Sequence, residues 1–523
     1  MRGMGPEAAE VFARGVEALD ANDFNTAESL FRAIVEANPR AHEAWNALAL
    51  VAVHGGAPDI AEARARQALE LDRRNPVYLN NFGIACGELG RFDEAEAAFR
   101  RALKLRRVYP EGLFNLGKVL HKQGRLGESL KAYERAYAMD PGFPGLRLNL
   151  AQLYQLHARA DRALAVLREA PGGVDESLAP TYASCLVDLQ GPSSAIDWMK
   201  AAAVKHPQWH RLKFALALTS LSVGQWREGW EHYAWRTSVP AAQRAGHHCG
   251  PLPARLEGKR VLLRNDEGLG DALFFLRFEA QLRERGAQVL LQCPPALVAV
   301  LEASHVPFEA TSSPVDTGAF DFSLWIGDLP AALETQATPG PLRLRCDEES
   351  RRRIASRLAA FGPPPYLGVT WRAGTDVLRG QEYGNVRAAL SKEIRPATLG
   401  GALRGWPGTL LCLQRNPYPG EIDAVAAAAG AKVHDLSASN ADLVEMLAIQ
   451  SLIRDYVAVS NTNVHLLAGL GRTASILVPY PADWRWMHDA EASVWFPGFN
   501  VYRQSLSRDW SEPLARLRAD LLA

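Results

Sequence analysis

The chain has 523 residues, 48% of them hydrophobic and 22% charged, and its 58 basic side chains balance 58 acidic ones. That length exceeds what one hydrophobic core usually serves and predicts two or three folding units. The balanced charge excludes the electrostatic footprint of a nucleic-acid or anionic-membrane binder, and no apolar run approaches the roughly 18 residues of a membrane span.

The N-terminus is polar and carries repeat features by Val11, so no signal peptide is expected. Cysteines stand at Cys86, Cys185, Cys249, Cys293, Cys346 and Cys412 without a CxxC pair. Buried thiols in a reducing cytoplasm are therefore expected, not disulfides or zinc.

A register started at Ala8 and stepped by 34 lines up most of the first 236 residues. Small residues recur at its eighth position (Gly15, Ala49, Gly83, Gly117, Ala151) and at its twentieth (Ala27, Ala61, Ala95, Ser129, Ala163). Larger apolar residues recur at the twenty-fourth (Phe31, Phe99, Tyr133, Leu167), and Pro39, Pro141 and Pro207 close units. This pattern predicts paired antiparallel helices. Small residues let the helices approach, larger ones fill the groove to the next unit, and proline stops the second helix. The spacing resembles the tetratricopeptide repeat (TPR), most clearly in "NNFGIACGELGRFDEAEAAFRRALKL" and again in "GQWREGWEHYAWR". The expectation is an array over residues 8–238 of about seven units. The resemblance implies a groove that holds a protein, with Asn80, Asn81 and Asn115 on first helices as candidate clamps for a bound peptide backbone. A rigid spacer is the alternative.

A Pro/Gly/His-rich linker, "SVPAAQRAGHHCGPLPARLEG", follows, and then short apolar strands alternate with helical stretches. "RVLLR", "QVLLQ" and "FDFSLWI" read as strands of one lobe over 255–345. "YLGVTW", "TLLCLQ", "AKVHDL", "DYVAVS" and "ASILVP" read as strands of a second over 365–523, beyond a break rich in charge and then proline near 340–365. Two such halves predict two Rossmann-like lobes of parallel sheet facing across a cleft.

Three places carry candidate chemistry. In "RNDEGLGDALFF" a strand runs into a helix through Gly268 and Gly270, which admit a close ligand, and Asp271 sits on the first turn; a plain helix cap is the alternative. In "VTWRAGT…SKEIRP", Arg372 follows a strand, with Ala373 and Gly374 leaving space beside it. Lys392 and Arg395 come about 20 residues later, the cation set that a diphosphate needs. In "VSNTNVHLLAGLG", Ser460, Asn461, Thr462 and Asn463 form a polar turn into a helix that carries His465, as a cap cluster or as an anion or sugar site. No histidine spacing supports a metal. The aromatic group Trp484, Trp486, Trp495, Phe496 and Phe499 reads as packing of a C-terminal helix against both lobes rather than as a stacking surface.

The order "EGLGDALFFLRF", "GVTWRAGT…KE", "LLCLQ", polar turn with "HLLAGLG", and "VPYPADWRW" resembles bacterial proteins in which TPR units precede a two-lobed GT-B glycosyltransferase domain, related to heptosyltransferases and more distantly to O-GlcNAc transferase. The resemblance implies an inverting, metal-independent transfer from a nucleotide-sugar to a protein acceptor, such as flagellin or another surface protein, with no bound cofactor. By that pattern Asp271 is the base for the acceptor hydroxyl, and Lys392 with Arg372 holds the donor phosphates. Gln414 lies near the nucleotide base, and Ser460–His465 contacts the donor. The family's acidic residue in that turn is absent here, and an amide in its place suits a donor that is itself negatively charged, such as a CMP-linked nonulosonic acid. The alternatives are a TPR scaffold whose α/β part has lost chemistry and a transferase acting on a glycan or lipid carrier.

Overall fold

The computed structural model describes residues 5–236, 248, 250–373 and 392–523. They form two compact units that divide between Val174 and Asp175.

The elements of the first unit are antiparallel helix pairs: α1 (Pro6–Asp20) with α2 (Phe24–Ala37), α3 (His42–His54) with α4 (Pro58–Leu71), α5 (Pro76–Glu88) with α6 (Phe92–Leu105), α7 (Pro110–Lys122) with α8 (Leu126–Met139), and α9 (Leu146–Leu156) with α10 (Ala160–Arg168). Proline opens α1, α4, α5 and α7, where its missing N–H costs nothing. The turns inside the first four pairs pass through left-handed residues at one repeat position, Asn22, Gly56, Gly90 and Gly124. Asparagine and glycine are the residues that adopt this conformation most readily.

The pairing of small and large residues has a local cause. A Cβ on Gly15 would lie 2.5 Å from the Phe31 ring, and one on Gly83 would lie 2.7 Å from the Phe99 ring. Each ring thus enters the notch left by the glycine of its own unit, in addition to any role toward the next. Alanine outranks glycine inside a helix by about 1 kcal/mol, so glycine here records a steric need.

Two of the three expected peptide clamps are internal, and the third, Asn115, is half-buried. Asn80 is fully buried and Asn81 nearly so. Asn81 donates to Asn46 (2.9 Å), Asn115 donates to Asn80 (3.0 Å), and Asn80 donates to Glu111 (2.9 Å). These amides form a ladder between successive units, which satisfies them without a peptide.

The second unit begins with α11 (Ala179–Gln190), α12 (Pro192–Lys205), α13 (His210–Ser222) and α14 (Trp226–Tyr233). These helices were expected to continue the array to residue 238. They do form contacting helix pairs, α11 with α12 and α13 with α14, and they lie in the same compact unit as the α/β part, where Ala217, Leu221, Trp230 and Tyr233 of α13 and α14 share one buried core with Leu263, Phe274, Phe275 and Trp484.

The first sheet holds β1 (Arg260–Arg264), β2 (Gln288–Gln292), β3 (Glu309–Thr311) and β4 (Phe322–Trp325), all parallel, in the order β3-β2-β1-β4. Its helices are α15 (Leu269–Phe275), α16 (Glu279–Glu284), α17 (Pro295–Ala303) and α18 (Leu329–Ala332). Part of the expected linker is docked on this lobe: Leu252 and Leu256 are buried, and their N–H groups donate to the carbonyls of Ala332 and Arg285. Cys249 and Gly374 lie outside the described residues.

The charged break contains a helix, α19 (Glu348–Ala359), capped by Asp347, which accepts from Ser350 N at 2.7 Å. Then come β5 (Tyr366–Thr370), α20 (Pro396–Ala402), β6 (Thr409–Cys412), α21 (Glu421–Ala429), β7 (Val433–Asp435), α22 (Leu443–Leu452), β8 (Asp455–Val459), α23 (Thr462–Gly469), β9 (Ser475–Val478), β10 (Asn500–Arg503) and α24 (Ser511–Leu522). The six strands are parallel, in the order β10-β9-β8-β5-β6-β7. This is the doubly wound order of dinucleotide-binding sheets, which reverses between β5 and β8.

Helix α19 packs on α22, so the second lobe begins before residue 365. The lobes meet through α15 on α23 and α17 on α22; one buried core runs through both, and a second belongs to the second lobe alone. The aromatic group packs within that core against α14 and α15, with Trp484 5.3 Å from Trp230 and 5.1 Å from Phe274. The C-terminal helix α24 packs elsewhere, on α20 and β10.

Candidate functional site

In an open parallel sheet the ligand crevice lies beyond the carboxyl ends of the strands, where the strand order reverses. For the second sheet those ends are Thr370 of β5 and Val459 of β8. Asn461 closes this point from within. It caps α23 by accepting from Val464 N (3.3 Å), and its amide donates to Thr370 Oγ1 (2.7 Å) and the Tyr456 hydroxyl (3.2 Å). A carboxylate could accept from Val464, but toward Thr370 and Tyr456 it could only accept, which reverses the hydrogen bonds that the amide donates. This is a physical reason for asparagine where the resembled family has an acid.

The rest of the polar turn is also turned inward. Asn463 is buried and donates to Asn440 Oδ1 (3.2 Å), and Ser460 is buried. His465 is buried edge-on to Phe274 and Phe496, at 6.2 and 5.4 Å. Burial, followed by the charges of Arg485, Arg277 and Lys392, holds its pKa well below the ordinary value, so it is neutral. Thr462, like Asn461, is part-exposed, and it faces Gly270: a Cβ there would lie 3.2 Å from Thr462 Cα and from the His465 ring. The glycine loop thus serves the contact between the lobes. Gln414, expected near a nucleotide base, accepts from the backbone N–H groups of Trp371 (3.1 Å) and Arg372 (2.9 Å) and donates to the Arg415 carbonyl. Its amide ties β6 to β5.

Arg372 projects from the end of β5, but it pairs with Glu421 at 2.9 Å and lies over the Tyr418 ring. Arg395 is exposed. Lys392 pairs with Asp483 at 2.7 Å. Asp483 also meets Arg485 at 3.3 Å, and Arg485 donates to Asp271 at 2.6 Å. One chain of alternating charges therefore joins Asp271 of the first lobe to Lys392 of the second.

The members of this chain differ in exposure. The side chains of Arg485 and Asp483 are 5% and 9% exposed, whereas those of Asp271 and Lys392 are 38% and 31%. A buried acid–base pair thus backs one acid and one cation that solvent reaches. Burial opposes ionisation of Asp483, but Lys392 and Arg485 outweigh it and hold its pKa below the ordinary carboxylate value. Asp483 and Arg485 escaped the sequence reading, although the "DWRW" segment that carries them did not. Among the described residues no cluster of three or more His, Cys, Asp or Glu is placed to hold a metal ion, and no helix is long and apolar enough to cross a membrane.

Tetratricopeptide-repeat family profiles match residues 12–76 and 81–144, and a second such profile matches 120–177. Protein FlbA of Caulobacter vibrioides is 22% identical over 344 residues, covering 59% of this chain and 54% of FlbA. The chain thus spans about half the length of this curated relative. Solved structures with similarity include pilF of Pseudomonas aeruginosa, with 21% identity over 38% of this chain and 92% of that one and a TM-score of 0.34. PilW, a type IV pilus biogenesis factor, has 21% identity over 39% of this chain and 96% of its own, with a TM-score of 0.36. The N-terminal region of this chain is thus a tetratricopeptide-repeat module, followed by an α/β part built on two parallel sheets.

Proposed function

We propose that the chain is a nucleotide-sugar-dependent glycosyltransferase of the two-lobed GT-B kind, whose repeats hold a protein acceptor. The observation that carries this reading is the meeting of Asp271 and Lys392 in one charge network between two parallel sheets. Transfer from a nucleotide-sugar needs a carboxylate to take the acceptor hydroxyl proton and a cation to stabilise the departing nucleotide phosphate. Asp271 and Lys392 are the half-exposed members of the network and take those roles, without a metal ion in the scheme.

The donor belongs beside β5 and β8 of the second sheet, whose strand order is that of nucleotide-binding folds. Binding of its phosphate competes with Asp483 for Lys392. The polar turn and Gln414 supply rigidity more than contacts, because Asn461, Asn463 and Gln414 are committed internally.

A second reading, a protein-binding module without transfer chemistry, draws on the pairing of both expected phosphate cations, Arg372 with Glu421 and Lys392 with Asp483. Calorimetry with UDP-, GDP- and CMP-linked sugars separates the two. Saturable binding of one donor, weakened about 10- to 100-fold in Lys392→Ala, supports the transferase. Heat-silent titrations with all three classes favour the binding module.

A further inference from the structure

The first sheet also reverses its strand order, between β1 and β4, and the crevice beyond those two strand ends is filled by the chain itself. Arg236, just past α14, has a side chain only 2% exposed. It pairs with Asp266 at 2.7 Å and Glu267 at 3.3 Å, in the loop after β1, and with Asp328, in the turn after β4. Gly327 makes room for it: a Cβ there would lie 2.8 Å from the guanidinium carbon. The Tyr233 hydroxyl adds a bond to Glu267 at 3.2 Å.

The loop held in this way, Asn265–Gly268, connects β1 directly to α15, whose first turn carries Asp271. Other bonds hold the loop too: Gly327 N donates to Asp266 Oδ1 at 3.4 Å and Ala272 N to the Gly268 carbonyl at 2.8 Å. Asn265 N donates to the Gln292 carbonyl, and its amide donates to the Glu267 carbonyl. One fork-shaped cation therefore meets the carboxylates of Asp266 and Asp328 and the carboxyl of Glu267, all buried or nearly buried at the root of the candidate site, a geometry that guanidinium provides and a single ammonium does not.

We infer that Arg236 is a positioning residue for Asp271: it fills the crevice of the first sheet, fixes the Asn265–Gly268 loop, and so sets the carboxylate at the junction of the lobes. Two consequences follow. The first lobe offers no nucleotide crevice of its own, and the α13–α14 hairpin is an integral part of the α/β module. The positioning role rests on the reading of Asp271 as the proton acceptor.

The test uses the full chain with Arg236→Lys, which keeps the charge but loses the fork, and Asp328→Asn, which removes one carboxylate from the cluster. Amide hydrogen exchange of residues 265–275 is expected to rise about tenfold in Arg236→Lys, and less in Asp328→Asn, with exchange in α5–α8 unchanged. Transfer by Arg236→Lys is expected to fall about 100-fold in kcat with donor KM within about threefold, as for a misplaced rather than a missing group. Exchange within about twofold of wild type in both variants overturns the inference, and so does a wild-type kcat in Arg236→Lys. A wild-type protein that transfers no sugar counts against the transferase reading alone. Exchange then still decides whether Arg236 holds the loop.

Discussion

Arg485 donates to Asp271 at 2.6 Å, and this bond ties the first helical turn of one lobe to the segment that follows β9 of the other. Its two ends are unequal, since Arg485 is buried and Asp271 is partly open.

That inequality predicts an order of stabilities. Replacing Arg485 by Gln leaves Asp483 buried with Lys392 as its remaining cation, and losing one partner of a buried ion network costs about 3 kcal/mol. Replacing Asp271 by Ala leaves Arg485 paired with Asp483, and the partly screened bond it loses contributes less than about 1 kcal/mol. Denaturant unfolding of the α/β transition should therefore rank Arg485→Gln well below Asp271→Ala. The reverse order contradicts the buried-relay geometry.

Glu267 gives a pH dependence of definite sign. Burial first, then the neighbouring Asp271, pushes its pKa up from 4.5 to about 8. Between those values the folded chain holds a proton that the unfolded chain has released. The contribution is therefore full below about pH 4.5, declines as pH rises toward 8, and is gone above it. Glu267→Gln, which cannot titrate, should flatten the fall in melting temperature from pH 6 to about 9 by roughly half. An unchanged slope would show that another group sets it.

Asn461→Asp tests why the polar turn has lost its acid. The carboxylate would still cap α23 but could only accept from the Thr370 and Tyr456 hydroxyls where the amide donates, and reversing this network around a new, largely buried charge costs about 1–3 kcal/mol. A melting temperature equal to wild type would mean that the amide is dispensable there. A variant that then accepted a neutral-sugar donor would place the acid's role in donor choice.

Much of this architecture is legible in the sequence because its signals are local. The 34-residue register follows from pairs such as Gly83 with Phe99, whose contact fixes both residue types. Apolar runs such as Val261–Leu263 announce fully buried strands. Elements with weak patterns were missed: β3, of three partly exposed residues, and α19, whose charged sequence offers the core only Ile354 and Leu358.

The site was harder for a different reason. Polar residues at strand ends look alike whether they face a ligand or the backbone, so Asn461, Asn463, Gln414 and the Asn80 ladder read as ligand contacts although each has internal partners. Asp483 and Arg485 sit among tryptophans, and only the fold brings them to Asp271 and Lys392.

The central claim is transfer chemistry at Asp271, and intact-mass analysis tests it most directly. Candidate protein acceptors, flagellin among them, are co-expressed with the wild-type chain or with Asp271→Ala. A discrete sugar mass on one acceptor with wild type, reduced about 100-fold or more with Asp271→Ala, is the predicted result. An increment of equal size with Asp271→Ala, or no increment on an acceptor that the repeats demonstrably bind, would contradict it.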